Sequence, residues 1–407
     1  MMKVKIIFEA LSPLLAGGRK QNNNYIRSLE YIPGNVVRAS LVQHILDNCI
    51  ALDYEDNTFT NILEFKNSEY CKKCTYISWC KNFDQIKLTN IKAKGCSPWS
   101  KTSLLCKYNS SHRPVDLLHK SLNATQAEKL VCPDCSERLE SPPTKFKNEK
   151  NTPQSFKRQL ITKGGIDATT GTNAQGRLYS IDTIADWQSI EQRLLMETTW
   201  DIPENIALNE QSLKIPFDVL RFGAYTRAGL GKCRIIDYYT DNTDVISNLK
   251  ERINAFNKKI TKKSKDKIYL SLDLQSDADL NLDQYITTDK YYSNNEYMQA
   301  IKNSIKESLN LIEIDEEFEL IDFIGEYEIR RGWDTRMGTA EKMIAPVIWT
   351  LAGSVIVLAF NKELVDGSFI NKLVNLESNG IGKNTENGCG EIIICNDFHV
   401  KYSVGRD

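Results

Sequence analysis

Three cysteines and two histidines carry the clearest chemistry in the chain. Cys106, Cys132 and Cys135 supply three thiols, the last two in VCPDC, a tight turn that sets two thiolates on one edge of a metal ion. Either His112, six residues after Cys106, or His119 completes a tetrahedral set. Cys71, Cys74 and Cys80, in YCKKCTYISWC, form a second group with Cys96 as a possible fourth ligand. Zinc suits both sets, and the spacing Cys71-x2-Cys74-x5-Cys80 also suits an iron–sulfur cluster. A closed four-ligand site leaves no open position for a substrate, so its expected role is structural. Neither CxxC sits in the βαβ context of a redox dithiol. Cys49, Cys233, Cys389 and Cys395 lie in apolar stretches and read as core thiols.

A glycine-rich turn occurs twice, as RFGAYTRAGLGKCRI (Arg221–Ile235) and LESNGIGKNTENGCGEIII (Leu376–Ile394). Each contains a G-x-G pair and runs into a β-branched stretch. Glycine reaches backbone angles closed to other residues and leaves no Cβ to hold a ligand away. Such a loop admits a polyanion to its backbone, and Arg221, Arg227 and Lys232 surround the first copy. Phe222 and Tyr225 add stacking surface, as RNA single strands require. The repeat itself points to two related modules in tandem. Arg19 and Lys20 cap another turn, SPLLAGGRKQNNN. The segment GGIDATTGTNAQGRLY reads as a hairpin tip bearing Thr169, Thr170 and Thr172, with Lys163 before it and Arg177 after it. It is either an ordinary exposed hairpin or a finger that contacts nucleic-acid backbone or a neighbouring subunit.

Catalytic groups are sparse. Of four histidines, only His44 lies where a metal-independent ribonuclease could use a general acid or base, and a packed helix histidine is the simpler account of it. No P-loop, hydrolase elbow or paired acids of a metal nuclease occur.

These residues need a scaffold of at least two domains, since 407 residues exceed the range of one growing core. Val4–Leu11 alternates as a strand. Val36, Val37, Leu41, Ile45 and Cys49 fall on helical spacing, and a helix is also expected at Trp187–Leu195 and at Tyr297–Leu309. The poorly periodic, cysteine-rich stretch 65–140 reads as an insertion that needs a metal staple. The expected organisation is α+β: a module over 1–245 holding that insertion, a helical linker over 246–266, and a second module over 267–407. Net charge is −1, so any nucleic-acid surface must be local. Bases cluster between Lys145 and Lys163, and eight acids without a base lie between Glu313 and Glu328. No apolar stretch approaches the ~20 residues of a membrane helix. The N-terminal segment alternates charges with apolar residues, unlike a signal peptide. A cytoplasmic protein with reduced cysteines and no membrane partner is expected.

Several of these motifs, taken in order, resemble the RAMP superfamily of CRISPR-associated proteins: LSPLLAGG (Leu11–Gly18), YIPGNVVRASL (Tyr31–Leu41), GIDATTGTNAQGRLY (Gly165–Tyr179) and GAYTRAGLGKCRI (Gly223–Ile235). The run from Cys106 to Leu118 with the following CPDC is similar to the RAMP subunit peculiar to type III-D effector complexes, itself similar to the subunit that caps the 5′ handle of the guide RNA. The resemblance spans most of the first ~235 residues; in the second half it rests on the closing glycine loop and the GWD…AGS stretch. It implies two tandem ferredoxin-like (RRM-type) modules, assembly with other RAMP subunits and the large subunit of a type III complex, and binding of guide RNA without catalysis. It implies that Gly223, Arg227, Gly229 and Gly231 touch RNA, that Arg19, Pro33, Gly34 and Arg38 shape a groove beside the first strand, and that Thr169–Arg177 reaches the guide or a neighbour. An endoribonuclease trimming the guide precursor, or a protein-only scaffold, are the competing functions. Ala39 departs from the glycine usual after Arg38, and the Cys71 group lies outside the resemblance.

Overall fold

The computed structural model describes residues 1–17, 20–22, 24–49, 69–123, 130–209, 212–213, 215–240, 245–261, 264, 266–286, 293–314, 316–334, 342–364 and 366–403. It is an α+β protein of two compact units. The first comprises Met1–Gly95, Ser155–Asn242 and Glu386–Gly388, and the second Cys96–Gln154, Thr243–Thr385 and Cys389–Asp407. The cysteine-rich residues from Cys96 onward thus group with the second unit.

In the first unit, strand β1 (Met2–Ala10) buries Val4, Ile6, Phe8 and Ala10, every second residue, as a half-buried strand must. Helix α1 (Gly34–Asp47) follows Pro33 and buries Val37, Leu41 and Ile45, one stripe at helical spacing. Further strands are β2 (Lys87–Leu88), β3 (Arg158–Ile166), β4 (Asn173–Ile184), β5 (Leu195–Ile202), β6 (Val219–Arg221) and β7 (Lys232–Thr240). The main sheet has the order β6-β7-β1-β5-β2, with antiparallel pairing throughout. Its core gathers Phe8, Trp200 and Phe222, the two phenylalanines edge to face at 5.4 Å. β3 and β4 form a long hairpin in a separate sheet that also takes in Tyr25–Arg27 and Lys20–Asn22. One sequence expectation fails here. Trp187–Leu195 holds a small hairpin of Trp187–Ser189 and Gln192–Arg193 instead of a helix. Ile190 is fully exposed and Trp187 nearly half exposed, so no apolar stripe exists to hold a helix against the core.

In the second unit, α2 (Val245–Lys258) precedes β8 (Lys267–Leu274), α3 (Asn294–Asn310), β9 (Phe318–Ile324), β10 (Val355–Asn361), α4 (Gly367–Asn379) and β11 (Ile392–Ile394). The order is β9-β10-β8-β11, again antiparallel. α3 begins with a reciprocal cap between Ser293 and Glu296. The Asp366 side chain caps α4 by accepting from the Phe369 N–H, and that helix ends at Gly380 with φ 77°. In β10 six consecutive residues are buried, so both faces are covered and no alternation is visible.

A buried ion cluster ties this unit together. His399 Nδ1 lies 3.0 Å from Asp116 Oδ2, and Nε2 hydrogen-bonds Asp273. None of the three is more than 3% exposed. Thr102 donates to Asp116, and Ser271 donates to Asp273 at 2.7 Å. The buried Lys147 ammonium sits 3.5 Å from the Phe398 ring centroid. Burial opposes the His399 charge, but the charges of Asp273 and Asp116 overcome it and raise its pKa to about 10.

Candidate nucleic-acid interface and metal centre

The two glycine turns share one backbone design. In the first, left-handed residues fall at Gly223, Tyr225, Gly229 and Gly231, with a 3-10 turn at Thr226–Ala228. In the second they fall at Gly382, Asn384, Gly388 and Gly390, around Thr385–Asn387. The hydrogen bonds correspond one to one. Phe222 N donates to Gly231 O and Ile381 N to Gly390 O; Ala224 N donates to Leu15 O and Lys383 N to Asp279 O; Gly231 N donates to Pro13 O and Gly390 N to Asp277 O. A Cβ at Gly231 would stand 2.1 Å from Phe222 O, and one at Gly390 1.8 Å from Ile381 O. Both turns are therefore folded by glycine against the stretch that follows the first strand of their unit.

Their tips differ. Gly388 is buried, whereas Arg221, Tyr225, Arg227 and Gly229 are exposed, and a Cβ at Gly229 would meet nothing within 4 Å. The second tip is closed at Gly388 while Lys383, Asn384 and Glu386 stay exposed; the first is open at Gly229 as well, and its exposed side chains are basic and aromatic. Beside it the β3–β4 hairpin brings Tyr179 against Tyr225, rings nearly parallel with centroids 6.4 Å apart, and Lys163 Nζ lies 5.3 Å from the Tyr225 centroid. Burial, and then the neighbouring Tyr179, raise the Tyr225 hydroxyl above its ordinary pKa. Leu15, Ile181 and Leu230 form the small core that holds hairpin and loop together. Tyr179 was legible only as the end of GRLY; its partner lies 46 residues on in the chain, so only the fold reveals the pair. Lys232 continues β7, its N–H donating to Ser12 Oγ at 2.9 Å.

The hairpin tip is a self-closed turn. Asp167 Oδ1 accepts from the N–H groups of Thr169 and Thr170 at 2.8 and 3.1 Å, which holds its carboxyl below the usual range. Thr169, Thr170 and Thr172 are exposed. Arg19 lies outside the described residues, as do the side chains of Lys20 and Arg177. Arg38 has protein partners: it donates to the carbonyls of Phe83, Ile86 and Glu386 and to Asn387 Oδ1, and packs over the Phe83 ring at 5.2 Å. It clamps the backbone of its own unit and does not present a free cation. His44 is half-buried between Tyr76 and Phe217, its Nε2 3.2 Å from the Tyr76 hydroxyl, and burial lowers its pKa. The acids of 313–328 are partly neutralised within their unit, where Glu319, Glu326 and Glu316 pair with Lys267, Lys101 and Lys372.

Cys106, His112, Cys132 and Cys135 form a group able to hold a metal ion, their ligand atoms all within 4.8 Å of one another. Cys106 ends strand Ser103–Cys106, and the Cys132–Cys135 knuckle closes through Ser136 N to Cys132 O at 2.8 Å, with Ser136 left-handed. Cys106 and Cys135 sulfurs lie 3.6 Å apart, and Cys132 Sγ lies 3.4 Å from His112 Nδ1. Thiolates 2.3 Å from a tetrahedral zinc stand about 3.8 Å apart, close to these two separations, so the set suits such an ion. His119 is excluded as the fourth ligand, because its ring nitrogens face the carbonyls of His399 and Phe256, each at 3.1 Å, inside the core. Cys71, Cys74, Cys80 and Cys96 do not meet as such a group among the described residues. Cys233 and Cys395 are fully buried, and burial raises both thiols.

No protein-family model matches the chain, and no curated protein matches it. Among solved structures, it is similar to a chain of the type III-B Cmr-beta bound to cognate target RNA and AMPPnP (13% identity, 91% of this chain and 93% of that one, TM-score 0.39). It is similar also to a chain of the type III-B Cmr-beta bound to cognate target RNA (13%, 91% and 94%, TM-score 0.40). Among the described residues no helix is long and apolar enough to cross a membrane.

Proposed function

We propose that this chain is a non-catalytic RNA-binding subunit of a type III, III-D-like CRISPR ribonucleoprotein, gripping the 5′ handle of the guide RNA. The observation that carries RNA binding is the open first glycine turn, where Tyr225 and Tyr179 stack beside Lys163, Arg221 and Arg227. Paired aromatic faces flanked by cations bind unpaired bases and phosphates together. The RAMP-like motifs of the sequence supply the identity of that RNA and the other RAMP subunits as partners. We read both units as ferredoxin-like modules. In each, strand, helix, two strands and a closing strand give the sheet order fourth–first–third–second, the arrangement of that motif. The second helix of the first unit is reduced to one turn, Glu204–Ala207. Zinc at Cys106, His112, Cys132 and Cys135 would staple the small strands around it.

The test is co-purification with the products of neighbouring genes, followed by sequencing of the retained RNA. Short RNAs sharing one constant 5′ end, lost on Arg227→Glu in an otherwise intact assembly, support the reading. An intact assembly without enriched RNA overturns it and leaves a protein-only scaffold.

A further inference from the structure

The first unit contains a second gathering of thiols that the spacing of the sequence assigns incompletely. Cys49 follows α1, one turn beyond Ile45. Cys71 lies in the 3-10 turn Glu69–Lys73, Cys74 follows it, and Cys80 lies in helix Ile77–Lys81. All four line one pocket whose other walls are Ile45, Ile77 and Lys81. Cys96 is not among those walls. The local backbone sets the convergence: Cys74 N donates to Cys71 O, Ile77 N to Cys74 O and Cys80 N to Tyr76 O, three successive turns that fold the segment back on itself. Buried Trp79 and Phe83 anchor it to the core of the unit.

The geometry points to an iron–sulfur cluster, of the [4Fe–4S] class, ligated by Cys49, Cys71, Cys74 and Cys80. Two observations separate this site from the zinc-type set. At Cys106, His112, Cys132 and Cys135 the ligand atoms already stand at single-ion separations. Cys49, Cys71, Cys74 and Cys80 do not form such a single-ion group among the described residues, although all four line the same pocket. A lone tetrahedral ion would need its thiolates about 3.8 Å apart. A cluster of several irons, each taking one cysteine, fills a wider gap between four thiols. The ligand set is all-thiolate, as cubane clusters require, and the walls are otherwise apolar apart from one cation. The inference is independent of the RNA-binding reading.

The experiment is anaerobic purification of the full chain, with iron, acid-labile sulfide and zinc measured per polypeptide and the visible spectrum recorded. About four iron, about four sulfide and one zinc per chain are expected, with a broad charge-transfer band. Two zinc ions without iron, or no second metal at all, overturns the proposal. Cys49→Ser should reduce bound iron more than about fivefold and leave zinc at one, since a cubane lacking one of its four cysteines is labile. Cys96→Ser should leave both metals unchanged. Circular dichroism of the Cys49→Ser protein shows whether it has folded; if it has not, the wild-type stoichiometry and the Cys96→Ser protein decide between the outcomes. Iron retained by a folded Cys49→Ser protein also counts against the assignment.

Discussion

Replacing His399 with glutamine removes the cation from between two buried carboxylates and should be among the most costly single changes in the second unit. The ordinary imidazole value of 6.5 rises to about 10 in the folded protein. At about 1.4 kcal/mol per unit this caps the contribution of the charged form at about 5 kcal/mol. Breaking a buried pair by removing one partner costs about 3–5 kcal/mol, so both routes agree. Because the folded value lies above the unfolded one, this stability is fully present below pH 6.5 and is lost as pH rises toward 10. Lys147 titrates in the opposite sense. Burial lowers it to about 8, against the pull of Asp116 and Asp273, so its burden on the fold eases as pH rises above that value. His119, whose pKa burial lowers, interacts with His399 and Asp116, Lys401 acts on Lys147, and the buried Cys395 thiol interacts with Asp273. Comparing wild type with His399→Gln cancels most of the contribution of these shared groups. Urea unfolding by circular dichroism near neutral pH should show a midpoint lowered by about 1–3 M. The gap should narrow steadily up to pH ~9.5, by at most about 4 kcal/mol. Parallel pH profiles for the two proteins would refute the charged cluster.

Four further outcomes follow from the geometry. Tyr225→Ala should weaken retention of guide RNA by the assembled complex by about 1–3 kcal/mol, the worth of one stacked base, roughly 5- to 150-fold in competition filter binding. Arg38→Ala should lower thermal stability while leaving that RNA affinity within twofold, roughly, because its donors are held by protein carbonyls; a selective loss of RNA binding would return Arg38 to the interface. Gly231→Ala and Gly229→Ala share a left-handed backbone, which costs about 1–2 kcal/mol in each, but only Gly231→Ala drives a Cβ into Phe222 O. Its melting temperature should fall further than that of Gly229→Ala, and equal losses would contradict the turn described. Cys132→Ser should release the ion held with Cys106, His112 and Cys135 and lower the melting temperature of the second unit, read by zinc analysis and calorimetry; a zinc content unchanged from wild type would remove that site.

The sequence by itself determined the elements and the local chemistry. Alternation in Val4–Ala10 and the stripe Val37–Leu41–Ile45 are short-range patterns, and they mark strand and helix before any tertiary contact is known. The CPDC knuckle and the positive-φ glycines are local too, so the three thiols of the metal site and the doubled turn were readable in advance. Trp187–Leu195 shows the limit of such patterns, since periodicity without a surface to bury against makes no helix. What only the tertiary structure decided are pairings across long chain separations. His112 rather than His119 joins the thiols, because His119 is drawn into the core by two carbonyls. Tyr179 stacks on Tyr225, Cys49 replaces Cys96 beside the Cys71 group, and Asp116, Asp273 and His399 close one buried cluster. Each depends on which faces of distant elements meet. Arg38, as plausible in the sequence as Arg227, is taken up by backbone carbonyls. Packing leaves Arg227 exposed and surrounds Arg38.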